Sequence, residues 1–231
     1  MRLLALGMVL VVVVILHTSA FAQAPNDETV SVSALTTLAE QGDTQAQFLL
    51  GLMYDQGRGV TQNDKEAVLW YRKAAEQGEA GAQLNLGVMY ADGTGVTQND
   101  KEAVLWYRKA AEQGEASAQF NLGVMYRKGT GVTQNDKEAV LWYRKAAEQG
   151  LAEAQLNLGV MYEKGLGVTQ NDEEAYIWFS VAVANGIEDS ESVVRAREMA
   201  AEKLSPSVLS EAQGRAQEYF ETFTAKAESP Q

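Results

Sequence analysis

The chain has 231 residues, no cysteine, a single histidine and a formal net charge of −12. Without cysteine it has no disulfide, no thiolate metal site and no cysteine nucleophile, and its histidine, His17, lies in a segment that reads as removable. The acidic balance repels phosphate backbones and anionic lipid, which argues against nucleic acid as a partner. No metal site, cofactor or catalytic residue is recognisable.

Residues 1–22 read as a secretory signal. Arg2 is a minimal positive start, and residues 3–16 are apolar throughout. Ala20-Phe21-Ala22 offers a small-x-small cleavage site, with Ala22-Gln23-Ala24 as a second. The run is short of the ~20 apolar residues a spanning helix needs. The expectation is therefore export to a periplasm or out of the cell, with no membrane insertion after cleavage. Cleavage would remove Arg2 and no acid, so the mature chain is more acidic still. Residues 23–29 form a polar linker.

The body of the chain repeats. VTQNDKEAVLWYRKAAEQG occurs unchanged at 60–78, 96–114 and 132–150, with a diverged copy at 168–186, always at a 36-residue step. A fixed period of this size marks a solenoid, in which each unit buries its apolar face against its neighbours. The units are 43–78, 79–114, 115–150 and 151–186. Before them, residues 30–42 carry Val32, Leu35, Leu38 and Ala39 at helical spacing and end in LAEQG, like AAEQG at 74–78. This is a half-unit suited to capping the array.

Each unit predicts two helices. The first spans 44–56 and its counterparts, with Ala46, Leu50, Met53 and Tyr54 on one side. Gly51, Gly87, Gly123 and Gly159 sit mid-helix, where glycine costs roughly 1 kcal/mol relative to alanine. Their recurrence implies the close approach of a backbone or ring, expected to be the tryptophan of a neighbouring helix. Gly57 and Gly59 close the helix, and Val60 turns back toward the core. This Gly-x-Gly lacks the third glycine and preceding strand of a dinucleotide site, so it reads as structural. Asn63-Asp64 opens the second helix, and Asn63 with Glu66 resembles a capping box. Ala67, Trp70, Tyr71 and Ala74 form its apolar stripe. Trp70, Trp106, Trp142 and Trp178 are expected to fill gaps between stacked helices.

In the fourth unit Lys73 and Glu76 are replaced by Val181 and Ala184, as expected where something packs over them. A helix pair at 187–226 supplies it. Val193, Ala196, Met199, Ala200 and Leu204 recur at helical spacing; Ser205-Pro206 starts a last helix bearing Leu209, Ala212, Ala216, Tyr219, Phe220 and Phe223. Residues 227–231 are a tail.

By these residues the chain resembles the Sel1-like repeat family, relatives of the tetratricopeptide repeats. The shared pattern, AQ-x-x-LG-x-MY-x-x-G-x-GV followed by A-x-x-W-x-x-x-A-x-x-x-G, is complete at 82–114 and 118–150. The resemblance implies an all-α, right-handed α-solenoid of antiparallel helix pairs: four repeats, an N-terminal half-repeat and a C-terminal helix-pair cap. It implies a scaffold that holds proteins together; secreted bacterial members resemble envelope assembly factors, adaptors and host-contact proteins. Cysteine-rich members associated with β-lactam binding brace each repeat with a disulfide, which this chain lacks.

Units one to three have identical second helices, so any difference in recognition lies in the first helices. Gln45, Leu49, Leu52 and Gln56 share the side opposite the core stripe. Their counterparts are Gly81, Asn85, Val88 and Asp92; Ser117, Asn121, Val124 and Lys128; and Glu153, Asn157, Val160 and Lys164. In the resembled superhelix this face lines the concave groove. Asn85, Asn121 and Asn157 beside Val88, Val124 and Val160 suit the backbone of an extended peptide; equally, the amides could bond to one another's helices within the array. Charge shifts from Asp55 and Asp92 to Arg127, Lys128 and Lys164, either orienting a ligand or simply solvated. The expected function is a non-enzymatic protein- or peptide-binding scaffold of the bacterial envelope. The alternatives are a carboxylate-based hydrolase acting on cell wall or β-lactam, and a spacer or self-associating array with no groove ligand.

Overall fold

A computed structural model describes residues 32–187 and 190–228; the expected signal and linker fall outside them. Among the described residues the chain is entirely helical. Helix α1 (Val32–Glu40) is the half-unit. The four units follow as the pairs α2 (Thr44–Gln56) and α3 (Asp64–Glu76), α4 (Ala80–Asp92) and α5 (Asp100–Glu112), α6 (Ala116–Lys128) and α7 (Asp136–Ala147), and α8 (Ala152–Lys164) and α9 (Asp172–Ala184). Helices α10 (Ser190–Ala201) and α11 (Pro206–Glu228) close the array, with α11 running into the expected tail. From α1 to α10 each helix packs on the next in sequence, the α-solenoid order, and α11 packs back on α9.

The turn inside each unit is built from two caps. Gly57 adopts φ 67° and closes α2 by donating its N–H to Met53. Asn63, rather than Asp64, opens α3: its Oδ1 accepts from the N–H of Lys65 at 3.1 Å and Glu66 at 3.3 Å. The capping box is only half formed. The Asn63 N–H donates instead to the Tyr54 carbonyl at 2.9 Å, which ties the end of α2 to the start of α3 and leaves Glu66 nothing to return. Gly95 does a different job, because a Cβ there would run into the Asp64 carbonyl; the loop of one unit rests on the helix start of the unit before.

The mid-helix glycines do face rings, but not those of tryptophan. A Cβ on Gly51 would lie 2.6 Å from Tyr71 Cδ1, and Gly87, Gly123 and Gly159 meet Tyr107, Tyr143 and Phe179 in the same way. The ring belongs to the second helix of the same unit, at the position after the tryptophan. Tryptophan has another role. Trp70 is buried with Leu35, Ala39, Ala46 and Leu50, so α1 covers the first unit. In units one to three the lysine one turn on lies over the indole, with Lys73 Nζ 3.8 Å from the Trp70 ring centre.

A buried amide in each unit completes the stack. Gln47, Gln83, Gln119 and Gln155 are at most 4% exposed. Gln83 Nε2 donates to the Ala75 carbonyl of the preceding unit at 3.0 Å, and its Oε1 accepts from Gln113 at 2.8 Å. A buried amide needs both partners, and here both are supplied.

At the C-terminal end, α10 and α11 join the core that holds Ile177, Trp178, Phe179 and Val181. Val181 meets the expectation of a covered position. Ala184 does not: it is exposed at the last residue of α9. Met199 is likewise 51% exposed, because at 100° per residue it falls well to the side of the line joining buried Val193 and Ala200. The ion pairs among the described residues are at this end: Lys203 with Asp172, and Arg215 with both Glu173 and Glu174.

Candidate functional site

The first helices α2, α4, α6 and α8 present the expected face. Asn85, Asn121 and Asn157 are half-buried along it. Val88 is 37% exposed, whereas Val124 and Val160 are half-buried against the core. Gln45 is half-buried; Gln56, Asp92, Lys128 and Lys164 are exposed.

What the sequence reading missed is the contribution of the second helices to this face. Because Tyr71 passes flat beside Gly51, its hydroxyl emerges among the first helices, where it donates to Asp55 Oδ2 at 3.1 Å. The Asn85 amide of the next unit interacts with the same hydroxyl. Burial, followed by the charge and hydrogen bond of Asp55, pushes the Tyr71 phenol far above its ordinary value; the Asn85 amide acts the other way. Tyr107 is raised by burial and then by Asp92. At Tyr143 burial dominates and the Arg127 guanidinium opposes it. All three phenols stay neutral and can only give or take hydrogen bonds.

A signal for this was present within the chain. Tyr71, Tyr107 and Tyr143 each precede Asn85, Asn121 and Asn157 at one register, and in unit four that register holds Phe179 and Val193. The hydroxyl and the amide disappear together. For Asn85, bonding within the array is thus part of its role. Asn121 and Asn157 differ: neither makes a side-chain hydrogen bond among the described residues, and both amides keep their capacity to donate and accept. Phe48 and Phe120 flank the row, with ring centres 6.1 Å and 5.9 Å from Tyr71 and Tyr143.

Other places offer less. A cleft of about 500 Å³, lined by Arg108, Tyr126, Asn135 and Glu138 among others, lies away from the asparagine row. Its arginine is engaged by the Tyr126 hydroxyl, and its helix start is capped by Asn135. No group of carboxylates or histidine among the described residues could hold a metal ion. No described helix is long and apolar enough to cross a membrane.

The Sel1 repeat family model matches residues 44–79, 80–115, 116–151 and 152–187, one residue out of step with the units read from the glycines. The chain belongs to the Sel1 repeat family. Among solved structures, a protective antigen present in uropathogenic Escherichia coli strains and displaying an SLR fold is 38% identical over 87% of this chain, with a TM-score of 0.75. The chain spans 44% of that antigen's length. A Sel1 repeat protein from Oxalobacter formigenes is also 38% identical, over 76% of this chain and 81% of its own, with a TM-score of 0.61. The Helicobacter pylori cysteine rich protein B is 23% identical over 55% of this chain and 96% of its own, with a TM-score of 0.45. No curated protein matches the chain. The fold is thus a Sel1 repeat scaffold, a type that serves protein interaction.

Proposed function

We propose that this Sel1 scaffold is an exported, non-enzymatic adaptor that holds an extended segment of a protein partner along the concave face of α2, α4, α6 and α8. One observation carries the reading. Asn121 and Asn157 are half-buried side by side with unspent amides, next to Val124 and Val160. Asparagine is disfavoured inside helices because it competes for backbone bonds. An extended backbone supplies donors and acceptors at each residue, and amides at successive units can serve them whatever the side chains.

Asp92 at one end of the row and Arg127, Lys128 and Lys164 at the other set a direction for a ligand with a basic and an acidic end. Export rests on the signal pattern of residues 1–22, and agrees with a relative that acts as a protective antigen. The test compares wild type with an Asn85/Asn121/Asn157→Ala variant of unchanged circular dichroism, each immobilised and exposed to envelope extract. Loss of specific partners in the variant supports the groove; equal recovery of the same partners overturns it.

A further inference from the structure

The second helices carry a feature that the groove does not use. Leu69, Leu105 and Leu141 are 44%, 44% and 45% exposed, at one position of α3, α5 and α7. Single exposed leucines are ordinary; three in register along an array form a row. The fourth unit has Ile177 at this position, and there it is fully buried. The difference comes from a helix laid alongside. Helix α11 packs along α9: Arg215 holds Glu173 and Glu174, and one and two turns on Tyr219 and Phe223 lie on Trp178, with ring centres at 5.4 Å and 6.0 Å. Successive second helices of the array touch one another far less.

The charges around the position differ in part between the two settings: Glu174 has the counterparts Glu66, Glu102 and Glu138, whereas Glu173 is replaced. Where α9 has Glu173, paired with the arginine of its covering helix, α3, α5 and α7 have the exposed Lys65, Lys101 and Lys137. One turn beyond each leucine, where α9 has Val181, they carry Lys73, Lys109 and Lys145. None of these lysines has a carboxylate partner among the described residues. The row is therefore a leucine line edged by lysine on a chain that is acidic overall.

We infer that this face docks an amphipathic α-helix of a partner protein, with an apolar stripe for the leucines and acidic flanks for the lysines. In α11 along α9 the chain shows this position of a second helix covered by another helix, and lysine in the place of Glu173 states the partner's sign. A helix laid across the array can meet the leucines of successive units.

The test uses the chain beginning at Gln23 and a fluorescent helical peptide of about 20 residues with leucine once per heptad and glutamate flanks; a second peptide carries lysine flanks. Fluorescence anisotropy is expected to show binding of the glutamate peptide in the micromolar range. Leu69/Leu105/Leu141→Ser should weaken it by roughly tenfold or more, and Lys65/Lys101/Lys137→Glu should transfer the preference to the lysine peptide. Asn85/Asn121/Asn157→Ala should bind as wild type does, which separates this face from the groove. The inference fails if wild type does not bind the glutamate peptide, binds both peptides equally, or keeps its affinity after the leucine substitutions. Concentration-dependent dimerisation abolished by those substitutions would assign the face to a second copy instead.

Discussion

Gly87 lies against the flat of the Tyr107 ring so closely that a Cβ would sit 2.7 Å from Cδ1. The usual gain from replacing a helical glycine by alanine, roughly 1 kcal/mol, is therefore reversed here. Gly87→Ala is expected to destabilise by about 1–3 kcal/mol, the usual cost of overpacking. Gly214, in α11, has nothing near its missing Cβ, so Gly214→Ala should stabilise by up to about 1 kcal/mol. Urea denaturation of both variants, read by circular dichroism, checks the pair.

The buried Gln83 makes a second prediction. Gln83→Leu keeps the volume but strips a partner from the Ala75 carbonyl and another from the Gln113 amide. The Ala75 carbonyl keeps the Gly78 N–H at 3.1 Å and Gln113 is exposed, so the expected loss is about 0.5–1.5 kcal/mol, the net worth of a hydrogen bond. A Gln113→Ala variant should lose more, about 1–3 kcal/mol, because it leaves the buried Gln83 Oε1 without its donor. Denaturation midpoints distinguish the two.

Much of the fold was legible because a repeat states its rules several times. Glycine at helix ends, the asparagine cap and the alanine stripes all announce local geometry. The errors came where geometry depends on a neighbour. Tryptophan and tyrosine are adjacent in every second helix, and a period alone cannot say which ring turns toward Gly51 and which toward the preceding unit. Met199 reads with the apolar stripe yet faces water, because its angle about the helix lies well away from Val193 and Ala200. For the candidate groove the sequence showed the asparagine row but not the tyrosine hydroxyls beneath it, which arrive there only through the glycine gap.

Alkaline pH offers a third prediction. Folding raises the Tyr71, Tyr107 and Tyr143 phenols above their ordinary value of about 10. A phenol held neutral in the folded state ionises first in the unfolded one. Its stabilisation is complete below about pH 10 and falls as pH rises, by up to about 1.4 kcal/mol per unit for each phenol. Unfolding near pH 11 should coincide with a late step in tyrosine absorbance at 295 nm, and Tyr107→Phe should unfold at higher pH. Phe179 shows that the site accepts phenylalanine.

The C-terminal cap supplies a fourth. A chain ended at Leu204 loses α11 and with it the cover over Ile177 and Trp178. It should expose apolar surface, bind a hydrophobic dye and aggregate on warming. Arg215→Ala in the full chain should be far milder, since the pairs it breaks are partly solvated.

The seat of Gly95 on the Asp64 carbonyl is repeated by Gly131 on Asp100, and the reach of Gln83 to Ala75 by Gln119 to Ala111. The junction between units one and two is therefore interchangeable with that between two and three. Excising residues 79–114 would join surfaces that already fit, and inserting a copy would do the same. Array length can change by whole units, through recombination between identical stretches, without any new interface having to evolve. The reach of the molecule is a quantity that its lineage can adjust in a single step.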